Sequence, residues 1–81
     1  MSQTFQIQFF ALLREQAGCR ELSLESEADT PAALYRELAG SHGLSVPEEI
    51  LSFAVNESYV AGDSPLADGD RIAFIPPVAG G

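Results

Sequence analysis

The chain has 81 residues, enough for one small domain that buries little more than about 60% of its unfolded surface, so a carrier, binding module or subunit is favoured over a self-contained enzyme. Four arginines, no lysine and twelve acidic residues give a formal net charge of −8, which repels a phosphate backbone or an anionic bilayer and excludes nucleic acid and membrane as partners. A basic protein surface would be attracted, although the same charge also suits a domain that it merely keeps soluble.

The first element is Phe5-Gln6-Ile7-Gln8-Phe9-Phe10, in which Phe5, Ile7 and Phe9 alternate with glutamines and predict a strand with one buried face. Residues 11–17 suit a short helical turn stopped by Gly18. Arg20 to Leu24 reads as a second strand, with Leu22 and Leu24 inward, paired antiparallel with the first. Thr30 as cap and Pro31 at the first helical position then mark the clearest helix start in the chain. Leu34, Tyr35 and Leu38 form its apolar stripe, and its end is expected between Gly40 and Gly43.

Pro47 to Leu51 reads as a connection with a short turn, Phe53 to Asn56 as a third strand, Glu57-Ser58 as a turn, and Tyr59-Val60 as a short return strand. Leu66 is expected back on the core. Asp68-Gly69-Asp70 is a strong turn signal before the last strand, Arg71 to Ile75, in which Ile72 and Phe74 face one way. Strands before and after a single main helix imply an α+β fold, a mixed sheet on one helix: the β-grasp, or ubiquitin-like, arrangement. Residues 1–75 form that domain, with the last strand central beside the first. Residues 76–81 form a tail leaving from it.

The tail reads Pro76-Pro77-Val78-Ala79-Gly80-Gly81. The prolines stop the strand and hold the chain extended, and the glycines carry no side chain. Six residues reach at most about 20 Å, so the tip can enter a narrow pocket on another protein. Small residues are also common at chain ends without any such role. A terminal carboxylate is a poor electrophile until ATP converts it to an acyl-adenylate. A sulfur donor can then displace AMP and leave a thiocarboxylate.

Phe53-Ala54-Val55-Asn56-Glu57, Pro65 to Asp70 and Ala73 through Gly81, with Phe9 to Glu15, resemble the small subunit of molybdopterin synthase over essentially the whole chain. Residues 19–52 match only in pattern. The resemblance implies a sulfur carrier whose Gly81 is adenylated by a ubiquitin-activator-like adenylyltransferase using ATP and Mg²⁺, with no cofactor bound by the carrier itself. It implies sulfur placed on Gly81 by a sulfur donor and passed to cyclic pyranopterin monophosphate to build the dithiolene. It also implies a heterotetramer of two small and two large subunits, with the active site on the large one. The expected partner-binding residues are Phe10, Phe74, Ile75, Pro76, Pro77, Val78, Ala79 and Gly80. The aromatics cannot all face inward on a sheet, which places Phe10 and Phe74, with Ile75, near an exposed contact; the alternative is that they fill the core.

Two readings stand beside this one: a ubiquitin-like modifier conjugated through Gly81, and a sulfur carrier for thiazole synthesis. Cys19 alone can form neither an internal disulfide nor a cysteine-built metal site and reads as a bystander thiol. His42 complements the helix C-terminus, and Asp68 and Asp70 read as a turn, not as metal ligands. No apolar run approaches the roughly 20 residues of a membrane span, and a cytoplasmic location is expected.

Overall fold

A computed structural model describes residues 2–77. Strand β1 (Gln3–Phe9) buries Phe5, Ile7 and Phe9 on one face, as the period-two pattern requires. Helix α1 (Leu12–Ala17) follows and ends on Gly18, whose φ of 78° lies in the left-handed region. Strand β2 (Glu21–Ser26) pairs antiparallel with β1, matching Phe5 to Leu24 and Ile7 to Leu22. It runs two residues past Leu24 because Ser26 is anchored. The Ser26 hydroxyl is buried, donates to Glu37 Oε2 at 2.6 Å and accepts the Ala28 amide at 3.0 Å.

Helix α2 (Pro31–His42) starts as its sequence dictates: Thr30 is extended, its hydroxyl accepts the Ala33 amide at 3.2 Å, and Pro31 occupies the first turn. Its buried residues include Leu34, Tyr35 and Leu38. Gly43, with φ 67°, terminates it, so Gly40 lies within the helix. A 3₁₀ turn (Glu48–Ile50) leads to β3 (Ser52–Val55), β4 (Ser58–Val60) and β5 (Arg71–Ile75). The β3–β4 turn centres on Asn56 and Glu57, both at positive φ, one residue earlier than the sequence pattern suggests. Two consecutive left-handed residues are what a two-residue hairpin turn demands, and Asn tolerates that region well.

The five strands are ordered β2-β1-β5-β3-β4. β5 is central, parallel to β1 and antiparallel to β3, in the expected place. Phe74 is fully buried at the middle of the core, with ring centroids 5.2 Å from Tyr35, 5.9 Å from Phe53 and 6.2 Å from Phe9. The segment between β4 and β5 crosses to the start of α2, where Leu66 N donates to Asp29 O and Ala32 N donates to Gly62 O, and Leu66 is buried there. No helix among the described residues is long and apolar enough to cross a membrane.

Candidate functional site

The face of the sheet turned away from the core is set by parity. On β5, Ile72 and Phe74 point inward, so Arg71, Ala73 and Ile75 point outward. Register then builds a row across the strands: Gln8 lies opposite Ala73, Ala73 opposite Ala54, and Ala54 opposite Tyr59. Two alanines at the centre between larger neighbours leave a hollow of about 280 Å³, rimmed by Phe10, Ile75, Tyr59, Gln8, Glu57 and Arg71. Tyr59 is 74% exposed and Phe10 44%, a large apolar investment on the surface of so small a domain.

The expected contact residues divide accordingly. Phe10 and Ile75 line the hollow. Phe74 does not: it has no exposed surface, and its placement at a partner contact is corrected by its inward parity on β5. Pro76 is buried against the domain and Pro77 is exposed, so the chain stays packed one residue beyond the strand. Val78, Ala79, Gly80 and Gly81 lie outside the described residues. Tyr59, Ala54, Ala73, Gln8 and Arg71, which also line the hollow, were not among the expected contact residues. The signal was available for β5, because alternation from Ile72 and Phe74 assigns Ala73 and Ile75 to the opposite face.

Backbone strain sits next to this face. Ala11 adopts φ 51°, ψ −126°, an unfavourable conformation for a residue with a Cβ, between Phe10 and α1. The ion pair of Arg36 with Glu48 lies elsewhere, where α2 meets the 3₁₀ turn. Its hydrogen bonds hold the Glu48 carboxyl below the usual carboxylate range. Burial, with a smaller contribution from Glu48, raises the Tyr35 phenol above its ordinary value. That hydroxyl donates to the Val46 carbonyl. Among the described residues, no three His, Cys, Asp or Glu side chains are grouped so as to hold a metal ion. Among the described residues the site is an exposed apolar hollow beside the end of β5.

A central last strand beside the first, one main helix across the sheet and an apolar outer face define a ubiquitin-like β-grasp domain. Residues 7–81 match the ThiS family, and the chain belongs to it. The chain is similar to the molybdopterin synthase sulfur carrier subunit of Escherichia coli (strain K12), 38% identical over 76 residues that cover 90% of this chain and 94% of that one. Among solved structures it is similar to SAMP1 from Haloferax volcanii, with TM-score 0.78, 26% identity and coverage of 96% and 99% of the two chains. It is also similar to a chain in the complex of subunits 1 and 2 of molybdopterin-converting factor from Helicobacter pylori, with TM-score 0.65, 26% identity and coverage of 98% and 100%.

Proposed function

We propose that this chain is the sulfur-carrier small subunit of molybdopterin synthase and works in the cytoplasm through the carboxylate of Gly81. The observation that carries the reading is its 38% identity, across nearly the full length of both chains, to a subunit of that name. The geometry is consistent: β5 delivers residues 76 onward from the centre of the sheet, beside an exposed apolar hollow. A partner covering the hollow can receive the tail in the same encounter. The similarity to a subunit from a two-subunit complex supports a large subunit as that partner; the assembly proposed holds two small and two large subunits.

The chemistry proceeds in three transfers. A Gly81 carboxylate oxygen attacks the α-phosphorus of ATP on an adenylating enzyme that uses Mg²⁺, forming the acyl-adenylate and releasing pyrophosphate. Sulfide delivered by the donor attacks the acyl carbon and expels AMP, leaving the thiocarboxylate. Its sulfur then bonds to a carbon of cyclic pyranopterin monophosphate on the large subunit as the carbon–oxygen bond at that carbon breaks, the oxygen leaving on the phosphate or as water, and hydrolysis of the acyl–sulfur bond returns the carboxylate. Two such deliveries complete the dithiolene. The carrier supplies the reacting terminus and its reach, and the partners supply the catalytic side chains.

Intact-protein mass spectrometry after incubation with ATP, Mg²⁺, a sulfur donor and extract of the native cell tests this reading. The expected result is a mass gain of one oxygen replaced by sulfur, located at Gly81 and absent when Gly81 is deleted. The similarity to SAMP1, a small archaeal modifier protein, favours a second reading, conjugation to other proteins through Gly81. Isopeptide adducts in place of the sulfur gain would select it.

A further inference from the structure

The charge of this chain is unevenly placed. Of its four arginines, Arg36 is on α2, held by Glu48, in a depression that meets the hollow only at Tyr59. The other three border the apolar hollow or the depression that adjoins it at Gln8 and Phe10. Arg71 lines it directly. Arg14 and Arg20 line a smaller, adjoining depression of about 210 Å³, which shares Gln8 and Phe10 with the hollow. All three are exposed. Among the described residues none of them lies within 4.0 Å of a carboxylate oxygen, the criterion that Arg36 and Glu48 meet. Only two of the twelve acidic residues stand on the same rim, Glu21 and Glu57. The face therefore carries three cations against two anions, while the rest of the chain carries one arginine against ten acids.

An arginine on the rim of an apolar contact gains most from a carboxylate that it meets as the contact closes, because the guanidinium offers a fork of donors in fixed geometry. Rim charges of this kind select partners and set orientation more than they add affinity. We infer that the sheet face recognises a partner protein whose contact surface is an apolar protrusion flanked by Asp or Glu side chains, which meet Arg14 and Arg20 at one end of the hollow and Arg71 at the other. An arginine pair at one end and a single arginine at the other fix the rotation of the partner on the sheet and so the direction in which it receives the tail. The acidic remainder of the domain repels such a partner from every other side. This inference rests on the sulfur-carrier reading and concerns the partner named there.

The test is the affinity of the full-length chain for the large subunit of the synthase from the same organism, measured by titration calorimetry at low and at physiological ionic strength. Arg20→Glu and Arg71→Glu are each expected to weaken binding by roughly fivefold or more at low salt, and the penalty shrinks as salt screens the rim. Arg36→Glu, which makes the same change of net charge away from the face, is expected to leave affinity within about twofold. Circular dichroism melts confirm that each variant is folded. Equal losses in all three variants would make the effect one of net charge and overturn the inference, as would unchanged affinity for Arg20→Glu and Arg71→Glu. Failure of the unaltered chain to bind the large subunit at all would instead remove the sulfur-carrier reading, and this inference with it.

Discussion

Asn56 and Asp70 lock two turns together: the Asn56 side-chain amide donates to Asp70 Oδ1 at 2.9 Å. The second carboxylate oxygen accepts the Ala67 amide at 2.8 Å, and Asn56 Oδ1 accepts the Arg71 amide at 3.1 Å. Asp68, two residues away, accepts the Thr4 amide at 2.7 Å. The Asp-Gly-Asp segment thus ties the start of β1, the β3–β4 turn and the entry to β5 at one end of the sheet. Asp70→Ala removes two of these bonds and is expected to cost about 1–3 kcal/mol in urea unfolding, while leaving the sheet face unchanged.

Phe74 and Ile75 are neighbours with opposite duties, and their variants should separate cleanly. Phe74→Ala opens a cavity among Phe9, Tyr35 and Phe53 and is expected to cost about 3–5 kcal/mol, a large share of the stability of so small a domain. Ile75→Asp places a charge on the rim of the outer hollow. It is expected to keep a near-native melting profile and to lose partner binding by about tenfold or more. Loss of folding in Ile75→Asp, or retained binding, would contradict the assignment of the face.

Gly40 lies inside α2 with open space where a Cβ would project and no positive φ. Gly40→Ala is therefore expected to stabilise the domain by about 0.5–1 kcal/mol, read as a raised melting temperature. The same change at Gly43, which has φ 67°, is expected to destabilise.

Tyr35 makes the stability sensitive to alkali. Its phenol is raised in the folded state, so the folded chain holds that proton more tightly than the unfolded one. The contribution is complete below the ordinary tyrosine range near pH 10 and is lost as pH rises through the folded value. Tyr35→Phe, which also gives up the bond to Val46, is expected to be less stable by about 1 kcal/mol near neutral pH and to show a flatter alkaline limb. Denaturant midpoints from pH 7 to 11 in both proteins check this.

Most of the architecture was legible because local signals and long-range burial agree. Thr30-Pro31 starts a helix for reasons contained in those two residues, and the alternation of Phe5, Ile7 and Phe9 fixes a buried face without knowledge of the partner strand. The outer face of the sheet was only half legible. Phe10 and Ile75 lie on it, but Phe74 was placed with them because the aromatics cannot all face inward, although adjacent residues on a strand cannot share a face. Tyr59 and Ala54 could not be joined to Ala73 from sequence, because their adjacency depends on the β3–β5 and β3–β4 registers. The end of β2 escaped notice because a buried serine carries no hydrophobic signal, and its bond to Glu37 spans two elements.

The parallel pairing of β1 with β5 joins Ile7 to Ile72, nearly the full length of the chain apart. Such a contact forms only after almost every residue has been synthesised, and its loop-closure entropy places it among the slow, cooperative steps of folding. The strand that launches residues 76 onward is thus also the strand whose docking completes the sheet. A nascent, truncated or locally unfolded copy therefore lacks the outer face that β1 and β5 form together. Any partner that requires that face is, by this geometry alone, an inspector of fold integrity.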